Sequence, residues 1–453
     1  MASVGLEPGR DLAARTRGEV IVPGDPAYDA ARSTFNGMLE RRPSVIFRPA
    51  DVADVAAAVR WAGDADLPIG VRAGGHSVAG HSTPDGAPLV DLSRWRSVSV
   101  DPSARTAEAL GGSLLMDLDA ATAAHGLVAP SGTFVDTGIA GLTLSGGISY
   151  IVATEGYACD ALIGAQLVTA DGSVVEVDED REPDLLWALR GGGGNLGIVT
   201  RLRYRLTPIG RLYAGTVRYR GAAVRDVLRS IFDRDAGSPD ELTLQAIAWR
   251  SEEDQAPRLT VLVTWRGDEG DGAAATTWLR EHPAAYEVDV RPMSWLELQA
   301  RNTPIPFGLR HYWKGHLVGS TPADLVDAVI AAADEGRDDD GILIELIHGQ
   351  AHRIAPESAA FGGRRAMANV TALGIWTDAA DDDVHIAWAR RTAAAVEPWS
   401  LAGGGYLNYP EVDQTAARVA AAFGPEAFAR LQSIKRTVDP DNRFRFNANI
   451  PPA

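Results

Sequence analysis

His76 sits in Arg-Ala-Gly-Gly-His-Ser-Val-Ala-Gly-His-Ser, residues 72–82, where almost nothing bulky surrounds its imidazole. Two more glycine-rich stretches follow, at 138–147 and 191–197. Glycine adopts positive φ and lets a backbone N–H approach a ligand with no Cβ in between. One such loop could be a tight structural turn. Three in one half of a chain suit an extended ligand with a pyrophosphate, cradled by amides rather than by lysines. Residues 192–197, Gly-Gly-Gly-Asn-Leu-Gly, fit G-x-G-x-x-G. A helical segment precedes them and a strand follows, the reverse of the dinucleotide-binding order, so a Rossmann site is not expected.

Other residues offer proton chemistry. Tyr406 and Tyr409 lie in Tyr-Leu-Asn-Tyr-Pro-Glu, and Tyr150 comes three residues after Gly147, just past the glycine stretch. An unperturbed phenol has a pKa of about 10, so a tyrosine acts as a base only beside a cation or a cofactor; otherwise each is a packed aromatic. Glu345 interrupts the apolar Ile-Leu-Ile-Glu-Leu-Ile, either buried for catalysis or on the solvent side of a half-exposed strand. His348 and His352 are four apart but lack the glutamate of a zinc-protease helix, so no metal site is expected. Lys314 either lines a substrate cavity or faces solvent. The single cysteine, Cys159, excludes an internal disulfide and reads as a small buried hydrophobe.

The stretches 72–82, "LVDLS", "TGIAGLTLSGG", "DLLWALRGGGGNLGIVT" and "YLNYPE…RLQSIKRTVDPDNRFRFNANI" occur in one order along nearly the whole chain. Together they resemble the berberine-bridge-enzyme-like FAD-linked oxidases of the vanillyl-alcohol-oxidase, PCMH-type flavoprotein superfamily. That resemblance implies one covalent bond from His76 to the 8α-methyl carbon of FAD. It implies a pyrophosphate wrapped by Arg72, Ala73, Gly74, Gly75, His76, Ser77, Gly80, His81 and Ser82. Thr137, Gly138, Gly141, Leu142, Gly146 and Gly147 would run beside the flavin. Gly197, Ile198 and Val199 would meet the adenosine, with Tyr409 at the site and Asn447 closing it.

Departures from the family pattern matter too. Phe134 stands where some members carry a second attachment cysteine, so single attachment is expected. Ala140 replaces a glycine near the flavin, where a methyl could restrict oxygen. "YIVATEG" stands where a basic pair is common, and Arg353 falls where berberine bridge enzyme has its catalytic glutamate. The implied activity is oxidation of a small organic substrate, a natural product such as a polyketide or an alcohol or sugar. Hydride passes to the flavin, Tyr406 or Glu345 takes a proton, and O2 is the acceptor. The alternatives are a flavin-containing cyclase or rearrangement catalyst without net oxidation, and a binding protein without catalysis.

These residues need a scaffold. Asp51 reads as the N-cap of a helix with Val52, Val55, Ala56 and Val59 on one face, between strands near 42–49 and 68–75. Asp171-Gly172 reads as a hairpin turn. From 209, strand-like runs alternate with helical ones. The expected class is α+β: a two-part PCMH-type FAD-binding domain at 1–208 and a substrate domain at 209–404 with an antiparallel sheet covered by helices. A segment of turns and loops at 405–453 returns to the first domain. At 453 residues, two domains are the ordinary expectation. A net charge of -17 leaves no basic surface for nucleic acid. No run reaches the ~18 apolar residues of a membrane span, and the first twenty residues lack an apolar signal core; a cytoplasmic protein is expected.

Overall fold

Asp51 opens a helix three residues after a strand ends at Arg48: its carboxylate accepts the Asp54 N–H at 3.0 Å, and Val52–Asp64 buries Val55, Ala56, Val59 and Trp61 along one side. This helix covers the first of three main sheets in a computed structural model that describes residues 8–453, apart from 236, 338–339 and 402–404. That sheet runs in the order Glu19–Ile21, Val45–Arg48, Pro88–Asp91, Gly70–Arg72. Its first pair is antiparallel and the rest parallel. The strand Gly70–Arg72 delivers the His76 loop.

The second sheet is antiparallel, in the order Val98–Asp101, Thr106–Leu110, Ile198–Arg205, Leu162–Val168, Val174–Asp178. Its last two strands form the expected hairpin, with Gly172 at φ +77°. The third sheet has seven antiparallel strands: Ala285–Met293, Leu212–Arg220, Pro257–Trp265, Leu242–Arg250, Asp340–Leu346, Ala368–Trp376, Arg310–Val318. Helices Ala223–Asp235, Ala323–Asp334 and Asp382–Val396 bury their apolar sides with Val261, Ile344 and Val370 of this sheet. Its other face turns toward the glycine loops.

Two expectations are corrected. The stretch 138–147 holds a helix, Ile139–Leu144, whose Ile139, Ala140 and Leu144 are buried. The C-terminal segment is not turns and loops alone: it contains helices Ala416–Phe423 and Pro425–Val438. Their signals are present, since Thr415 accepts the Arg418 N–H at 3.3 Å, Pro425 opens the second helix and Lys435 and Arg436 close it. Lys435 is fully buried. Its Nζ pairs with Asp439 at 2.8 Å and donates to the carbonyls of Asn195 (2.7 Å) and Phe444 (2.9 Å), binding the third glycine loop to the C-terminus. The boundary expected at residue 404 lies outside the described residues.

Candidate active site

The three glycine stretches converge on one elongated cavity with about 1900 Å³ of empty space, its open mouth included. Backbone crowding dictates several of the glycines. A Cβ on Gly74 would stand 2.3 Å from the Gly138 nitrogen, so the first two loops touch main chain to main chain. Gly141 is different: a Cβ there would meet nothing within 4 Å and would project into open space.

Ala73, Gly74, Gly75, His76, Ser77, His81, Ser82, Thr137, Gly138, Gly141, Leu142, Gly197, Val199, Tyr406, Tyr409 and Asn447 line the cavity. Other expected residues do not. The Arg72 guanidinium turns away and donates to Ala31 O (2.5 Å), Ser33 O (3.0 Å) and Thr83 Oγ1 (2.5 Å), tying the loop to the N-terminal segment. Gly80 packs on Leu39, and Gly146 beside Phe361. Ile198 is fully buried in the core beneath its strand. Gly147 contributes through its N–H, described below. Tyr150 lies behind the wall, accepting from Asn302 Nδ2 at 2.7 Å and donating to Thr133 O at 3.3 Å.

The far end of the cavity is walled by Trp313, Leu343 and Leu373 of the third sheet and by Ile305 from the loop before the strand Arg310–Val318. Lys314 is the neighbour of Trp313 on one strand and so points to the opposite face, where it pairs with Glu411. Among the described lining residues there is no Lys, Arg, Asp or Glu. A pyrophosphate here would be held by amides, and a substrate would meet mostly hydrocarbon.

Tyr406 and Tyr409 stand where cradle and wall meet, their rings perpendicular with centroids 5.1 Å apart. The Tyr406 oxygen accepts two backbone N–H groups, Gly147 at 3.0 Å and Ile148 at 2.8 Å. Burial pushes its pKa well above the ordinary value, with the Glu345 charge adding to the rise; the two donors oppose it. The Tyr409 hydroxyl donates to Glu345 Oε1 at 3.3 Å, and Asn369 Nδ2 donates to Oε2 at 2.9 Å. Glu345 is thus buried one residue behind the wall, and burial raises its pKa to about 7. The histidine pair is accounted for structurally: His348 and His352 bond the carbonyls of Leu242 and Ala366, each at 2.8 Å. Among the described residues no group of His, Cys, Asp and Glu could hold a metal. Arg353 pairs with Asp240 on the surface, and Cys159 is buried.

The cavity fits FAD on three observations. Asn447 Oδ1 is a buried polar atom without a hydrogen-bond partner, Gly141 leaves room beside the helix Ile139–Leu144, and the lining supplies amides where a pyrophosphate needs donors. Residues 43–178 match the family model described as "FAD binding domain", and 405–451 the one described as "Berberine and berberine like". The chain is 31% identical over 452 residues to the (R)-6-hydroxynicotine oxidase of Paenarthrobacter nicotinovorans, covering 96% of this chain and 97% of that one. This chain belongs to the berberine-bridge-like FAD-linked oxidoreductases. The crystal structure of 6-hydroxy-D-nicotine oxidase from Arthrobacter nicotinovorans superposes with a TM-score of 0.90 at 30% identity, covering 97% of this chain and 98% of that one. A single-residue variant of berberine bridge enzyme in complex with (S)-reticuline shares the fold, with a TM-score of 0.87 at 20% identity over the full length of both chains.

Membership makes FAD the cofactor and the chain an oxidoreductase of the PCMH-type fold. No described helix is long and apolar enough to cross a membrane. Sequence reasoning missed Trp313, Leu343 and Leu373, because alternation along a strand does not say which face looks inward, and Ile305, which lies in a loop with no periodic signal. It also passed over Asp136, which directly precedes Thr137 at the edge of the second glycine stretch.

Proposed function

We propose that the protein oxidises a small, largely apolar organic substrate, with FAD attached covalently through His76 alone and molecular oxygen as the electron acceptor. Residues 1–208 would hold the cofactor, 209–404 would form the substrate wall, and 405–453 would return Tyr406, Tyr409 and Asn447 to the cradle. The observation that carries this reading is one cavity running from the glycine loops around His76 to an uncharged sheet face, with an acid-backed tyrosine at the junction.

FAD supplies the hydride acceptor; the protein supplies position and proton traffic. The wall of Ile305, Trp313, Leu343 and Leu373 orients the substrate and excludes water. A proton released there passes to the Tyr409 hydroxyl as Tyr409 gives its own to Glu345, whose pKa near 7 suits a base at neutral pH. Tyr406, clamped by two amides, keeps its hydroxyl fixed beside Tyr409.

The test has two parts. The acid-denatured polypeptide should fluoresce under ultraviolet light, with the peptide spanning His76 increased in mass by flavin. Under anaerobic conditions an apolar ring-bearing alcohol, phenol or amine should bleach the yellow colour, and air should restore it. A pellet and supernatant both free of flavin would remove the whole reading; flavin only in the supernatant would remove the covalent bond.

A further inference from the structure

The imidazole of His76 is fixed by neighbours that a hydride transfer does not require. One face stacks on Phe35, with ring centroids 4.4 Å and planes 27° apart, and Phe35 stacks in turn on His311 at 4.5 Å. Phe307 meets the imidazole edge-on at 5.7 Å. With the ring plane set, a carboxylate sits at one corner: Asp136 Oδ2 lies 3.0 Å from Nε2. The contact is close but off the line of a hydrogen bond, so Nε2 and Asp136 Oδ1 are both enclosed without a bonded partner. A small rotation of the Asp136 carboxylate would align the pair. Nε2 is therefore closed to a ligand, and Nδ1 is the nitrogen left for one in the cavity that His76 lines.

A neutral imidazole has one lone pair, and the position of its proton decides which nitrogen carries it. A carboxylate at Nε2 keeps the proton there and leaves Nδ1 nucleophilic. As Nδ1 bonds to carbon the ring becomes cationic, and the same carboxylate stabilises that charge, as it does in a serine hydrolase triad.

We propose that Asp136 is a positioning residue for the protein's own flavin attachment: it sets the tautomer of His76 and stabilises the imidazolium formed as the bond is made. The inference rests on the reading that His76 carries the flavin. In the overall step an Nδ1–C8α bond forms and one C–H bond of the 8α-methyl group breaks. One proton leaves that carbon and one leaves Nε2 toward Asp136. The two electrons released pass through the flavin to molecular oxygen, which ends as hydrogen peroxide.

Full-length wild type, Asp136→Asn, Asp136→Ser and Asp136→Glu, produced with little flavin, are incubated with FAD in air. Absorbance reads total bound flavin; fluorescence and intact mass of the acid-precipitated chain read the covalent share over time. Total binding should be alike in all four, while attachment slows about tenfold or more in the Asn and Ser variants. The Glu variant should recover most of the rate, which a merely structural role would not produce. If the Asn variant binds too little FAD to follow, Ser against Glu decides, slow against fast supporting the proposal and equal rates overturning it. Attachment at the wild-type rate in Asn and Ser also overturns it. Wild type that releases all its flavin into acid overturns the covalent reading and this inference together, a result distinct from attachment in every variant.

Discussion

At the scale of single residues, the site works by setting two kinds of oxygen against each other. The Tyr406 oxygen is buried yet fully engaged, so Tyr406→Phe leaves the N–H groups of Gly147 and Ile148 without an acceptor. Each unmatched buried donor costs about 1–3 kcal/mol. The variant should melt several degrees lower and reduce its flavin more slowly with substrate; an unchanged melting temperature would mean that the clamp contributes nothing. Glu345 makes a prediction with a sign. Burial raises its carboxyl from 4.5 to about 7, so the folded state binds this proton more tightly than the unfolded chain. Stability contributed by this group therefore falls as pH rises from about 4.5 toward 7, while the ability to accept a proton grows over the same range. Anaerobic flavin reduction should speed up with pH through an inflection near 7. Glu345→Gln should be slower, lack that inflection and lose the matching slope in melting temperature. A variant that keeps the inflection assigns it to another group.

At the scale of elements, the glycines divide into those that shape the scaffold and those that leave room for a ligand. Gly74 and Gly138 touch backbone to backbone, so Gly74→Ala should lower both stability and FAD binding. Gly141 is interior to the helix Ile139–Leu144 and faces open space. Replacing it with Ala should stabilise the flavin-free chain by up to about 1 kcal/mol while weakening FAD binding, read as a higher melting temperature without flavin and lower flavin occupancy. Normal occupancy in Gly141→Ala would place the ring elsewhere. The glycine loops were legible in the sequence because close main-chain approach admits one residue type. The Asp51 cap and the Asp171-Gly172 hairpin were legible for a similar reason. The helix at 139–144 was not: it is short, uncapped by any side chain and spelled in the same residues as a loop. Nor was the inward face of the third sheet, since Trp313 and Lys314 are neighbours and only packing decides which one lines the cavity.

At the scale of the whole molecule, the two halves meet through a few buried polar residues that carry no sequence signature. Trp295 Nε1 donates to Asp119 at 2.8 Å, and Gln299 Nε2 donates to the Gly132 carbonyl at 3.0 Å, fixing one side of the cavity. On the other side the segment around Phe35 runs between the His76 loop and the strand Arg310–Val318. Asn36 is fully buried there. Its Nδ2 donates to Val78 O and His311 O, each at 2.8 Å, and its Oδ1 accepts the N–H groups of His311 and Met38 at 3.0 Å. One side chain thus joins the His76 loop to the third sheet, next to the Phe35 ring that stacks on His76. Asn36→Ala leaves four backbone groups without their partner, a loss on the order of 3 kcal/mol or more. Because the lost bonds span the two halves, the damage should fall on their coupling as well as on stability. Flavin release and tryptophan fluorescence, coincident in wild type, should separate in the variant, with flavin leaving at the lower temperature. Combined with His76→Ala, the substitution should also speed FAD dissociation relative to His76→Ala alone. If the two probes still melt together and the off-rate is unchanged, the halves are held by their apolar contacts, and Asn36 is a local turn residue.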